Sequence, residues 1–281
     1  MSLVTMKEIL EGSIEGKYAV GAFDTLDCVA TDAILKAAEM KNTPIILMLV
    51  EANPEQEEFI QYTLDKCRKS SVPVALHLDH GPTYEEAMRA IHAGCTSVMF
   101  DGSSLPFEEN VRITKEVVKV AHACGVTVEA EIGHVAGHEG NMLDGNVPDA
   151  SAYTTVEEAV RFYEETKVDC LAIAIGTVHG VYKGEPNLDY ERLQAIRDKL
   201  PIPLVMHGGS GLRPDDFKKA IAHGINKINF YTGMTLGAGE AVRAVMKERD
   251  KVTMTNIIQI GSKAITDIVS EHIEIFGTKS L

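Results

Sequence analysis

Short apolar runs recur along the chain, each followed by a stretch whose apolar residues fall three and four apart. A run of four to eight apolar residues between polar boundaries reads as a strand buried on both faces. The three-four spacing reads as a helix packed by one stripe. Residues 18–23, 44–49 and 97–101 are such runs, as are 126–132, 170–175, 203–206 and 226–230. One further run opens at Pro73-Val74-Ala75-Leu76 and closes in His77-Leu78-Asp79-His80-Gly81. Helical patterns lie between them at 28–40, 56–69, 106–124, 190–200 and 214–223, after a short leading helix from Met6. Thr83-Tyr84-Glu85-Glu86 and Thr155-Val156-Glu157-Glu158 read as capping boxes that start two more helices, and Gly94 and Gly125 as stops. Helices at 234–247 and 254–275 finish the chain.

Eight strands alternating with helices, with no linker or low-complexity segment, predict a closed α/β (β/α)8 TIM barrel with extra terminal helices. Residues 1–281 are expected to form a single domain. An open doubly wound sheet fits less well, because no Gly-x-Gly-x-x-Gly follows the first strand. One interruption stands out. Residues 133–152 are rich in Gly, His and Asn without apolar period, and a loop of that length in a compact domain is usually functional.

In such barrels the chemistry sits at the C-terminal ends of the strands. Those positions carry Asp24, Asp79-His80, Asp101-Gly102-Ser103, Glu131, Gly176-Thr177-Val178-His179-Gly180, His207-Gly208-Gly209-Ser210-Gly211, Asn229 and Thr232. Three imidazoles on three strand tips, His80, His179 and His207, predict a zinc site with a position left for substrate. Strand alternation places His77 one layer deeper, as a packed supporting group. His92, His122, His223 and His272 fall in or near helices and read as surface or packing residues. The glycine-rich tip after the seventh strand and the Asn229–Thr232 tip after the eighth occupy the usual barrel phosphate position, where backbone N–H groups hold an anion.

Composition narrows the partners. A formal net charge of −14 argues against a nucleic-acid surface, which needs clustered Lys and Arg. Five scattered cysteines without a Cys-x-x-Cys pair read as reduced thiols. No basic-then-apolar leader or membrane-length apolar run is present, so a cytoplasmic protein without membrane contact is expected.

At this point the motifs form a set. Tyr18-Ala19-Val20-Gly21-Ala22-Phe23, His77-Leu78-Asp79-His80-Gly81, Gly176-Thr177-Val178-His179-Gly180-Val181-Tyr182-Lys183-Gly184, His207-Gly208-Gly209-Ser210-Gly211 and Lys227-Ile228-Asn229 stand in one order over the whole chain. Asp101-Gly102-Ser103-Ser104-Leu105-Pro106-Phe107-Glu108-Glu109-Asn110 falls among them. In this the chain resembles the class II, zinc-dependent fructose-bisphosphate and tagatose-bisphosphate aldolases. The resemblance implies reversible cleavage of a ketose (bis)phosphate to dihydroxyacetone phosphate and an aldehyde. Zn2+ on His80, His179 and His207 would hold the ketone and stabilise an enediolate. It implies Asp79 as the general acid/base at the C4 hydroxyl and Glu139, in the long loop, as the second base. Asp101 and Glu131 would support the catalytic metal or hold a second one. Gly180, Lys183, Gly208, Ser210, Asn229 and Thr232 would bind the phosphorylated half of the sugar. The Gly180 and Gly208 carbonyls would hold a monovalent cation. Homodimers or homotetramers are also implied.

The departures from that pattern gather at one end. Asp24 and Asp27 stand where the family commonly has asparagines, Val50 where a serine contacts the second phosphate, and Tyr231 where an aspartate selects hydroxyl stereochemistry. Thr235 replaces a common basic residue, Ala136-Gly137 a Gly-Gly pair, and Gly140 an acid after the loop glutamate. The expected aldehyde product is therefore not glyceraldehyde 3-phosphate. Two rival readings are a zinc hydrolase on the same fold, which lacks its usual His-x-His on the first strand here, and a catalytically weak sugar-phosphate-binding barrel.

Overall fold

Strands β1 (Val20–Asp24), β2 (Ile45–Leu49), β3 (Val74–Gly81), β4 (Ser97–Phe100), β5 (Thr127–Ile132), β6 (Cys170–Ile173), β7 (Leu204–Met206) and β8 (Ile225–Asn229) pair in sequence order. All pairings are parallel, and β8 returns to β1 through Val20–Lys227 and Ala22–Asn229. This is the expected (β/α)8 barrel. The computed structural model describes residues 2–50, 52, 54–135, 152–180, 182, 184–249 and 251–280.

The strands read as continuously apolar because they are buried twice. Leu47, Leu76, Val98, Val128 and Ile173 point outward against the helices, in the large core. Val20, Ala22, Ile46, Met48, Ala75, Ala172 and Val205 alternate with them and form a smaller core inside the barrel. Met6, Ile9 and Leu10 of the helix Met6–Leu10 join that inner core. They close the N-terminal end of the barrel against β2 and β3. The C-terminal helix Met254–Ile275, predicted at the same bounds, packs on Cys28–Lys41 and Thr232–Glu248. His272 stacks on Phe230 with ring centroids 3.8 Å apart, the packing role expected of it.

Two local expectations change. The box at Thr83 forms by half: Thr83 accepts from the Glu86 N–H, but the Glu86 carboxylate turns away to accept from Ala52 N–H at 3.2 Å. The box at Thr155 forms completely. Strand β6 stops at Ile173, not 175, because Ala174 and Ile175 bond Thr154 and Asp189 instead of a neighbouring strand.

Candidate active site

The stretch His77-Leu78-Asp79-His80-Gly81 lies within β3, and strict alternation would send Asp79 and His80 to opposite faces. The pairing with β4 slips between Leu78 and Gly81, and His80 adopts φ +45, a left-handed conformation that costs a β-carbon residue about 1–2 kcal/mol. The slip and the turn bring both side chains to the barrel mouth, where His80 Nε2 is 3.9 Å from Asp79 Oδ2.

His80 Nε2 faces His207 Nδ1 at 2.8 Å, and the His179 ring stands edge-on to both, with centroids 5.0 and 5.9 Å away. One ring nitrogen from each of the three lies within 4.8 Å of the others. His80, Asp101 and Glu131 form a second such group. Burial pushes His179 and His207 well below the usual imidazole range, so both stand as neutral rings, the form that ligates metal. Burial acts the same way on His80. The Asp79 charge and the Asp101 hydrogen bond outweigh it and hold His80 well above that range. Asp101 Oδ2 meets His80 Nδ1 at 2.7 Å while its Oδ1 accepts from Ser103 N–H at 3.0 Å. Burial raises Glu131 to about 8. Two neutral imidazoles, a third ring whose proton a metal would displace, and the carboxylates behind them are a donor set suited to a divalent transition metal.

Asp79 is buried with a division of labour between its oxygens. Oδ1 accepts from Asn229 Nδ2 at 2.9 Å, while Oδ2 has no hydrogen-bond donor among the described residues and faces the His80 side of the cavity. That cavity, of about 400 Å³, is lined by the three carboxylates, His80 and His179 together with Val50, Pro82, Ser103, Ser104, His134 and Val135. Among the described lining residues there is no Lys or Arg.

Next to it the turn after β7 approaches the start of the helix Thr232–Glu248, and Ser210 Oγ accepts from Gly233 N–H at 2.9 Å. Gly208 is required there. It has φ +68, and a β-carbon would stand 2.5 Å from the Val178 carbonyl oxygen. Tyr182 Oη donates to the Gly208 carbonyl at 3.1 Å. Gly180 and Thr232 lie on the same rim, whereas Glu139 and Lys183 fall outside the described residues.

Two groups take on a role that the sequence pattern does not show. Lys227 and Glu129 are both fully buried inside the barrel, Nζ to Oε2 at 2.9 Å. Glu129 Oε1 meets His207 Nε2 at 2.9 Å, and Lys227 Nζ donates to Asn229 Oδ1 at 2.7 Å. Burial depresses Lys227, but the Glu129 and Asp79 charges and the Glu129 hydrogen bond together more than offset this and hold it charged. His77 sits beside the pair, one layer down as expected, with Nδ1 2.8 Å from Ser97 Oγ. The signal was available: Thr127, Glu129 and Glu131 alternate along one buried strand, as Lys227 and Asn229 do along another.

Comparison with known proteins places this geometry. The family model for fructose-bisphosphate aldolase class-II matches residues 4–280. A fructose-bisphosphate aldolase of Geobacillus stearothermophilus is 42% identical, over 99% of this chain and 98% of the relative. A probable fructose-bisphosphate aldolase of Bacillus subtilis is 39% identical, over 100% and 99%. The crystal structure of the YdjI aldolase from Escherichia coli K12 superposes with a TM-score of 0.85 at 32% identity, covering 98% of each chain.

Proposed function

Since the chain belongs to the class-II fructose-bisphosphate aldolase family, and is thus a lyase of aldol cleavage, we propose that it splits a ketose phosphate into dihydroxyacetone phosphate and an aldehyde other than glyceraldehyde 3-phosphate. The observation that carries this reading is Asp79: one carboxylate oxygen is held by Asn229, and the other, without a donor among the described residues, stands beside three convergent imidazoles. A buried carboxylate so oriented suits removal of a hydroxyl proton from bound substrate.

The phosphorylated half would lie over the Gly208–Ser210 turn and the N-terminus of Thr232–Glu248, with Gly180, Asn229, Thr232 and Lys183 around it. Zinc on His80, His179 and His207 would supply Lewis-acid polarisation of the substrate carbonyl. Asp101 and Glu131 would support it or offer a second metal position, and the Gly180 and Gly208 carbonyls a site for a monovalent cation. Glu139 would move the proton on the carbon that becomes nucleophilic. The aldehyde end is read from Val50 and from described lining residues that include no Lys or Arg and so offer a distal phosphate no cation. One domain over 1–281, a cytoplasmic location and a homodimer or homotetramer complete the proposal; no described helix is long and apolar enough to cross a membrane.

A cleavage panel tests it. Fructose 1,6-bisphosphate, tagatose 1,6-bisphosphate and several ketose 1-phosphates are compared by kcat/KM. A ketose 1-phosphate is expected to lead, and strong preference for either bisphosphate refutes the aldehyde assignment. Glu139→Ala is expected to suppress proton exchange on dihydroxyacetone phosphate with zinc retained; unaltered exchange moves the base to another residue.

A further inference from the structure

We propose that the buried Lys227–Glu129 pair is a positioning element that fixes, at one stroke, which nitrogen His207 offers to a metal and which way Asn229 presents itself to Asp79. The inference rests on the metal-dependent aldolase reading above and assigns work to two residues which that reading leaves unused.

The assignment follows from what each group is able to donate. A lysine ammonium only donates, so the Asn229 atom 2.7 Å from Nζ is its carbonyl oxygen, and the amide NH2 is left facing Asp79 Oδ1 at 2.9 Å. A glutamate carboxylate only accepts, so the His207 nitrogen 2.9 Å from Glu129 Oε1 carries the hydrogen. The other nitrogen, Nδ1, then turns its lone pair toward His80 and His179. The pair itself spans 2.9 Å with both side chains at 0% exposure. Without Lys227 the Asn229 amide has no reason to keep its NH2 on Asp79. Without the Glu129 carboxylate His207 has no reason to keep its lone pair on the metal side. Cys170 Sγ also donates to Glu129 Oε2 at 3.8 Å, so that oxygen is held by Cys170 as well as Lys227.

Glu129→Gln separates this role from simple packing. An amide of the same shape is unable to accept from both Lys227 and His207, so its NH2 faces one of them. The expected result is zinc affinity weakened about 10–100-fold, read by competition with a chromophoric chelator. Lys227→Met keeps the Glu129 acceptor for His207. It is expected to lower kcat about tenfold or more at saturating zinc, with zinc affinity much less changed. The double variant removes both charges. It is expected to recover the unfolding temperature of the wild-type chain but neither its zinc affinity nor its kcat. Should Lys227→Met alone fail to fold, the double variant reads the same kcat. Zinc affinity within twofold of wild type in Glu129→Gln, or wild-type affinity and kcat in the double variant, overturns the proposal. Because chelator competition needs no substrate, it stands even where the wild-type chain cleaves no ketose phosphate, so failure of the proposed function is read separately.

Discussion

The inside of this barrel has two storeys built from the same strands. Below, Val20, Ala22, Ile46, Met48, Ala75, Ala172 and Val205 meet the helix Met6–Leu10 in an apolar floor. Above, Glu129, Lys227, His207, Asn229 and Asp79 form an unbroken chain of hydrogen bonds and one ion pair, just as thoroughly buried. The floor is held by area: each large apolar side chain contributes roughly 1.5–3 kcal/mol on burial, with little demand on direction. The upper storey gains far less from existing, since removing two ions from water nearly cancels their attraction, and breaking one partner costs about 3–5 kcal/mol. What the polar storey provides is orientation. Stability and directionality are thus separated by a few ångströms along each strand, and a substitution reveals its storey by what it changes.

The sharpest separation is expected from chelation, which should abolish cleavage while leaving the floor intact; zinc should restore it, and full activity in excess chelator would remove the metal from the mechanism. Next, Asp79→Asn should lower kcat about 10²–10⁴-fold with the unfolding midpoint nearly unmoved. A rise in KM with kcat unchanged would show that Asp79 handles no proton. Met48→Ala inverts the pattern, with about 2–5 kcal/mol of stability lost and kcat per folded molecule unchanged at low temperature. Calorimetry beside steady-state kinetics checks both, and a matching loss of kcat would erase the distinction between storeys. Thr155→Ala should cost only about 1 kcal/mol, a few degrees of midpoint, by removing the Thr155 acceptor from the Glu158 N–H.

Much of this architecture is legible in the sequence because burial on both faces makes each strand a short apolar run, and eight of them leave few topologies. The rim histidines are equally visible, since strand tips are where polar groups interrupt those runs. His80 was harder. Alternation assigns it and Asp79 to opposite faces, and only the slipped register and positive φ reconcile them. The joint role of Glu129 and Lys227 is hidden in the sequence for a different reason. Within apolar runs a single charge looks like a tolerated exception, and its meaning appears only when strands 98 residues apart in sequence, β5 and β8, point their charges into one space. Glu86 shows the same limit on a smaller scale, as a loop N–H from Ala52 draws it out of its local motif.

One small clasp beside the site has a wider consequence. After β5 the chain is pinned where His134 N–H donates to the Ala152 carbonyl at 2.9 Å. Thr154 Oγ1 bridges the Ile132 carbonyl and the Ala174 N–H, while Gly133, at φ +78, has no room for a β-carbon beside Thr154. The barrel therefore closes the base of the insertion with its own backbone, independently of what the insertion contains. Such a socket lets the intervening segment change in length and composition without disturbing the strands on either side of it.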